Sequence, residues 1–387
     1  MNLKNFNLLI LYFCTVLTMC VMYATQPLQP HFEQILEISK FQASIFTTAI
    51  LVPLAFASII YGYFLEKISI RKVLIGVFFI FSVSEFIFAF CDSYAVMISI
   101  RIMQGFIVPA ALTGIMSYIS QSVSHTKVAS AMGAYIGITI AGGFIGRFLS
   151  GFFTDVFGWR FFFILLGILT LIACVFLFKT LDEIQTKFVK PRLRNISQIL
   201  SIPRNIYIYL AIFGVFFVFQ AVLNILPFEL VRLDGAFSGS KTGFMYVGYI
   251  IGIFISFNVA KIVNLSKTAS NAIFIGIIIY IISLGFLTIE SFYAIFASML
   301  VFYAGSFTAH SVATAHVNKK ATSHKGITNG LYVSFYYAGG ALGSFVPGVI
   351  YEFGGWNMFL SALAILLCVS LFFIWKLKKY EKSKNLS

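Results

Sequence analysis

Apolar residues in this chain come in long unbroken runs rather than in alternation. Twelve stretches of roughly 20 residues, the length that crosses a hydrocarbon core about 30 Å thick, are centred near residues 17, 52, 81, 105, 140, 169, 216, 250, 279, 303, 338 and 366. Short polar segments separate them, and the strongest break is the charged stretch KTLDEIQTKFVKPRLRN (179 to 195), with six runs on either side. The pattern predicts an all-α integral membrane fold of twelve transmembrane helices in two six-helix halves. Residues 1–178 form the first half, 179–205 a basic linker, 206–375 the second half and 376–387 a tail. The first run is followed by TQPLQP (25 to 30) and not by a small-residue cleavage site, so it reads as a retained helix and not a signal peptide.

The halves are copies. AGGFIGRFLSGFFTDVFGW (141 to 159) returns ungapped as AGGALGSFVPGVIYEFGGW (338 to 356), an offset of 197 residues, and Gly133/Gly330, Tyr135/Tyr332 and Phe162/Phe359 extend the match. A duplicated membrane unit is the signature of secondary transporters built from repeats, whose substrate site lies at the midplane between the halves. At 100° per residue, Gly143, Arg147 and Gly151 share one side of the fifth span, as Gly340, Ser344 and Gly348 do in the eleventh. With Gly142, Gly146, Gly339 and Gly343 beside them, these glycines are the expected small-residue seams for close helix packing. Arg147 interrupts the first seam. A guanidinium at that depth is costly unless it faces protein or water with a partner. It reads either as an ion-pair gate or anion-binding group, or as a structural arginine snorkelling to the interface.

Composition agrees with the membrane reading: hydrophobic residues are 60% and charged residues only 10%, against about 25% charged in a soluble domain. The net charge of +14 raises the question of nucleic acid, which the placement of the cations answers. With a cytoplasmic N-terminus, the inner loops and termini collect 21 of the 27 Lys and Arg. The outer loops hold Lys40, Arg160, Arg232 and Lys241, and Arg101 and Arg147 lie within spans. This is the positive-inside asymmetry, and it puts both termini in the cytoplasm and removes the nucleic-acid reading. The five cysteines, Cys14, Cys20, Cys91, Cys174 and Cys368, are odd in number and mostly mid-span, which fits apolar fillers better than a disulfide framework.

The remaining chemistry is carried by polar groups inside spans. Glu85 in FSVSEFIFAF (81 to 90) and Arg101 in RIMQG (101 to 105) flank the turn near Asp92 and Ser93, and at 1.5 Å per residue both sit roughly 10 to 13 Å from it. Equal depth makes a Glu85–Arg101 pair feasible. Burial favours the neutral carboxylic acid and a guanidinium favours the carboxylate, so the pair reads either as a proton-exchanging site or as a static pin between two helices. His310 in GSFTAHSVATAH (305 to 316) is a candidate proton carrier and cavity-lining residue, and His316 reads as structural. Among the 46 Phe and 19 Tyr most must fill lipid-facing surface, whereas Tyr23, Gln26, Tyr332, Tyr336 and Tyr337, with Gln104, are the substrate-cavity candidates, since polar groups in spans face cavities. There is no H-E-x-x-H, G-x-S-x-G or P-loop motif, and no Cys, Asp or Glu joins His310 in its segment to make a metal site. No catalytic residue, metal or cofactor is expected, and the chain does not read as an enzyme.

Several of these segments resemble the major facilitator superfamily, and the likeness covers essentially the whole chain. GYFLEKISIRKV (62 to 73) is similar to the signature loop between the second and third helices, with Gly62, Glu66, Arg71 and Lys72 matching its gating-loop positions. RIMQG resembles the fourth-helix R-x-x-Q-G motif, which implies a role for Arg101 in proton coupling. The fifth span (133 to 151) resembles the glycine-rich segment of antiporters, and GRFLSGFFTDVFGWR, YATQPLQP and AHSVATAHV resemble the YnfM-like group of bacterial inner-membrane efflux proteins. Drug:proton antiporters often carry an acid in the first helix. Residues 6 to 30 contain no Asp or Glu, so the proton site must lie elsewhere, among Glu85, Arg101, Arg147 and His310.

The expectation is a multi-pass protein of the bacterial cytoplasmic membrane that moves a small molecule by alternating access. Proton-coupled efflux of a drug-like or sugar-like compound is favoured, through a site lined, as the resemblance implies, by helices 1, 4, 7 and 10. A proton-coupled importer and a non-transporting membrane receptor are the alternatives. Partners are the substrate, protons and the bilayer, with no nucleic acid, and the protein is expected to act as a monomer.

Overall fold

The computed structural model of the chain describes residues 3–64, 69–123, 125–183, 193–320 and 325–386, and the side chains of these other than 3–5, 58–64, 125–127, 129, 193–195, 325–326 and 384–386. Among the described residues every regular element is helical. In hydrocarbon each backbone N–H and C=O must be satisfied within its own segment, so helices form even through runs rich in Ile, Val and Phe.

Up to the central break lie α1 (Leu3–Tyr23), α2 (Gln29–Ile35), α3 (Lys40–Phe64), α4 (Ile70–Phe90), α5 (Tyr94–Ser122), α6 (His125–Phe157) and α7 (Trp159–Thr180). After it come α8 (Leu193–Leu200), α9 (Pro203–Asp234), α10 (Gly239–Phe244), α11 (Tyr249–Phe257), α12 (Val259–Leu265), α13 (Ala269–Phe286), α14 (Phe292–Lys320) and α15 (Lys325–Leu386). The expected linker thus contains the helix α8, and the expected tail continues α15 as helix.

Eleven helical stretches among the described residues are long and apolar enough to cross a membrane. The last, Ile327–Ser383, has 57 residues, far more than the roughly 20 of one crossing, and it contains the non-helical Gly355 (φ 67). Gly355 lies 197 residues after Gly158 (φ 85), the break between α6 and α7. Only glycine takes that backbone readily, and a tryptophan follows each of the two.

Packing separates the chain into two units, one of Met1–Val189 with Ala236–Val247 and one of Lys190–Gly235 with Gly248–Ser387. The short α10 belongs to the first unit. Asp155 near the end of α6 accepts hydrogen bonds from the backbone N–H of Gly239 and Ser240 (both 2.8 Å) and from the Ser238 hydroxyl (3.1 Å). A Cβ on Gly151 would lie 2.2 Å from the Gly239 carbonyl oxygen, so only glycine permits this approach.

Each unit is built on the same helix pair, and the contacts repeat at the offset of the sequence. In the first unit a Cβ on Gly142 would meet Val16 Cα at 3.0 Å and one on Gly146 would meet Cys20 Cα at 2.7 Å. In the second, a Cβ on Gly339 would lie 2.1 Å from the Phe213 carbonyl oxygen, and one on Gly343 would lie 2.1 Å from that of Phe217. Val16 and Phe213, and Cys20 and Phe217, are again 197 apart. The Tyr12 hydroxyl donates to the Ala131 carbonyl (3.0 Å), as Tyr209 does to Thr328 (2.8 Å). These contacts correct the expected seam: α6 meets α1 through Gly142 and Gly146, and α15 meets α9 through Gly339 and Gly343. Arg147, one residue further round the helix, does not interrupt it. Gly151 serves the α10 contact, Gly340 faces the Phe216 ring, and a Cβ on Gly348 would be in ordinary contact with Ile225 at 3.8 Å.

Candidate functional site

The R-x-x-Q-G segment on α5 points three residues at three neighbours. Its arginine, Arg101, is 1% exposed. Arg101 donates to the carbonyls of Val21 (2.6 Å), Met22 (2.7 Å) and Phe46 (3.2 Å), and to Gln104 Oε1 (2.9 Å). Helix α1 stops at Tyr23, so its last carbonyls lack intrahelical donors and form the negative end of its dipole; the guanidinium supplies both hydrogen bonds and charge there. Gln104 uses its Nε2 to donate to Glu85 Oε1 (2.9 Å) and Ser84 Oγ (3.0 Å). Gly105 allows α5 onto α3, since a Cβ there would lie 2.4 Å from the Ile50 carbonyl oxygen.

Glu85 and Arg101 therefore do not form the direct pair that equal depth made feasible. The amide of Gln104 stands between them, accepting from the cation and donating to the carboxylate, which satisfies both of its ends. Gln104 and Glu85 are themselves buried, at 0% and 1% exposure. Gln104 is thus part of this network, where sequence reasoning placed it among the substrate contacts.

Arg147 makes a second centre in the same unit. It is fully buried and does not snorkel. Its Nε donates to Gln26 Oε1 and its Nη1 to the Gly143 carbonyl, both at 2.7 Å. The guanidinium carbon lies 3.7 Å from the centre of the Tyr23 ring and 5.4 Å from that of Tyr246, a cation–π arrangement. Tyr23 closes α1, and the 3₁₀ turn Gln26–Leu28, with Pro27 at its start, carries Gln26 back over α6. Two proposed cavity residues, Tyr23 and Gln26, are thereby holding Arg147. Tyr246 had no sequence signal.

The second unit holds His310, Tyr332, Tyr336 and Tyr337 together. The Tyr332 hydroxyl lies 3.1 Å from His310 Nδ1 and 3.2 Å from the His310 carbonyl oxygen, and Thr314 Oγ1 lies 2.9 Å from both that hydroxyl and that carbonyl. The His310 ring is 4.5 Å from that of Tyr336, which stacks on Phe216 at 3.6 Å, with Tyr337 edge-on to Tyr336. Phe216, Phe219, Ser306, Phe307, His310 and Tyr336 line a small cavity there. Hydrogen bonding holds His310 through Nδ1. His316 lies apart from it, 2.9 Å from Glu381 on the last turns of α15.

Sequence reasoning missed Glu229. It is fully buried on α9, accepts two hydrogen bonds from Arg232 (2.7 and 3.0 Å) and accepts a third from the Tyr351 hydroxyl (3.0 Å). Arg232 also reaches Glu290 at 2.8 Å. Helix α9 runs to Asp234 and so takes in Arg232, which the run of apolar residues leaves in a loop. The signal that would have extended it is Gly235, the left-handed residue that ends α9 (φ 74), a common helix terminator. In the gating-loop motif, Glu66 lies outside the described residues and Gly62 lies within α3. Arg71 donates to the Phe178 carbonyl at 2.5 Å, and Lys72 is 3.5 Å from Glu183.

Comparison with known proteins agrees with this architecture. An uncharacterized transporter of Buchnera aphidicola subsp. Schizaphis graminum is 24% identical over 386 residues, covering 98% of this chain and 93% of its own. The inner membrane transport protein YnfM of Escherichia coli is 26% identical over 387 residues, covering 94% and 88%. The crystal structure of the nucleoside transporter NupG superposes with a TM-score of 0.81 at 13% identity, covering 97% of this chain and all of that one, a likeness of fold. The family model of the Major Facilitator Superfamily matches residues 11–289. A multi-pass helical membrane chain whose relatives are transporters and not enzymes, it belongs to the Major Facilitator Superfamily.

Proposed function

We propose that the protein is a proton-coupled secondary transporter of the bacterial inner membrane, working by alternating access and exporting a small drug-like or sugar-like compound. The observation that carries the reading is the buried chain Glu85–Gln104–Arg101 ending on the carbonyls of α1. A carboxyl in low dielectric is a site where gaining or losing a proton changes the local field strongly. Protonation of Glu85 removes the charge that Gln104 Nε2 donates to, weakens the polarisation of the amide, and so changes how firmly Arg101 is held over the end of α1. Proton occupancy at one residue is thereby coupled to the position of a helix end. Arg147, fixed by Tyr23 and Gln26 on the same segment, responds to movement of that end, and His310 is a further proton carrier in the second unit. Twelve crossings with both termini in the cytoplasm are part of this reading, supported by the cation asymmetry of the sequence and by the break at Gly355. Full activity is assigned to the monomer.

The test uses everted membrane vesicles energised to an acid interior, with a pH-sensitive dye and a panel of dyes, drugs, sugars and amino acids. The reading predicts partial collapse of the gradient with one class of compound, lost in Arg101→Ala and in Glu85→Gln. Wild-type responses in both variants would remove the coupling assignment, and proton movement of the opposite sign would make the protein an importer.

A further inference from the structure

The offset of 197 residues gives positions in the second unit a counterpart in the first. Val16 and Phe213, or Tyr12 and Tyr209, keep the same contact in both copies, so those positions are packing. Tyr23 and Arg147 correspond to Gln220 and Ser344, and here the contact is not kept. Arg147 stacks on Tyr23 in the first unit. In the second, the Ser344 hydroxyl turns back onto the Ala341 carbonyl at 2.8 Å. Gln220 is fully buried, and neither Oε1 nor Nε2 has a hydrogen-bond partner among the described residues. A buried amide left in that condition is destabilising, and packing alone would favour leucine or methionine at the position.

The surroundings of Gln220 point to what would pair with it. Its Cγ and the Phe216 ring stand against the same glycine, Gly340. One turn along α9, the Phe216 ring stacks on Tyr336, and the cavity edged by His310 lies at that stack. A primary amide offers one acceptor beside two donors, so its full complement is a donor next to an acceptor on a rigid edge. A carboxylate would oppose its oxygens to Oε1, and an ammonium would oppose its hydrogens to Nε2. Aromatic faces select planar rings.

We infer that Gln220 and the Phe216–Tyr336 stack form a recognition subsite for a neutral, planar ring compound carrying a cyclic-amide edge. The ring packs against this aromatic cluster, displacing the Phe216–Tyr336 contact seen here, while its N–H and C=O pair with Oε1 and Nε2 of Gln220. This names the substrate class of the transport reading above and rests on it.

Calorimetric binding to the purified full-length protein in detergent tests the subsite with three probes: 2-quinolone, N-methyl-2-quinolone and quinoline-2-carboxylate. The expected result is that 2-quinolone binds about tenfold or more tighter than either of the others, because a site built to pair with an N–H discriminates against its loss. In Gln220→Leu the discrimination falls to within about threefold, while thermal unfolding is unchanged or shifted upward, since an unpaired amide has been removed. Equal affinities in the wild type, no binding of any probe, or undiminished discrimination in Gln220→Leu would each overturn the subsite. The vesicle assay reads the other claim separately. Gradient-linked transport of another compound without this discrimination removes the subsite alone, and discrimination without gradient-linked transport of any compound removes the coupling alone.

Discussion

Glu229 and Arg232 show how burial decides what a charge does in this chain. The carboxylate is fully buried while its arginine is 45% exposed, so the two halves of the pair are not equivalent. Removing the cation leaves a buried charge with only the Tyr351 hydroxyl, whereas neutralising the acid leaves an arginine that water and Glu290 can serve. Arg232→Gln is therefore expected to destabilise by about 3 kcal/mol or more, and Glu229→Gln by about 1 kcal/mol or less. The double substitution recovers most of the loss, read by thermal or denaturant unfolding in detergent; equal losses in the two single variants would contradict the assignment. Sequence made some of these residues visible and hid others. Glu85, Arg101 and Arg147 stand out because charges in apolar runs are costly, but what they touch does not follow from depth. Gln104 intervenes between Glu85 and Arg101 because it lies one turn from the arginine on the same helix, and an amide can satisfy a cation and an anion together. Tyr246 and the carbonyls of Val21 and Met22 had no signal, since they act through backbone position and ring faces.

Among the helices, the glycine seams were legible as a class but not in register. On a helix that is apolar all round, a 100° wheel does not say which of two adjacent glycines faces its neighbour; the structure selects Gly142, Gly146, Gly339 and Gly343. Their cost of substitution follows from the space available. A methyl on Gly343 would lie 2.1 Å from the Phe217 carbonyl oxygen, whereas Gly133 and Gly330 have nothing within 4 Å. Gly343→Ala and Gly146→Ala are expected to lower the unfolding temperature and the yield of folded protein, by about 1 to 3 kcal/mol in stability. Gly133→Ala and Gly330→Ala should be neutral or stabilising by up to about 1 kcal/mol. A similar loss at all four positions would show that the seam is not where the contacts put it. Element boundaries were hardest to read. Helix α9 passes Pro227 and continues to Asp234, because a helix in this setting tolerates proline when neighbours satisfy the freed carbonyl.

For the whole molecule, the duplication was the most legible feature and the most useful one. It extends from aligned residues to aligned contacts, and it separates shared packing from specialised chemistry. The first copy carries the Glu85–Gln104–Arg101 chain and the Arg147 centre, and the second carries His310, Glu229 and the unpaired Gln220. The family follows from the whole pattern, while the substrate class needs the side-chain partners. If Glu85 couples protons to movement, as proposed, neutralising it separates coupled from uncoupled turnover. Purified protein in proteoliposomes, supplied with a compound found active in the vesicle screen, permits both equilibrium exchange and accumulation driven by an imposed proton gradient to be measured. Glu85→Gln is expected to keep exchange near the wild-type rate and to lose gradient-driven accumulation by about tenfold or more. Gradient-driven accumulation at the wild-type rate in Glu85→Gln would contradict it.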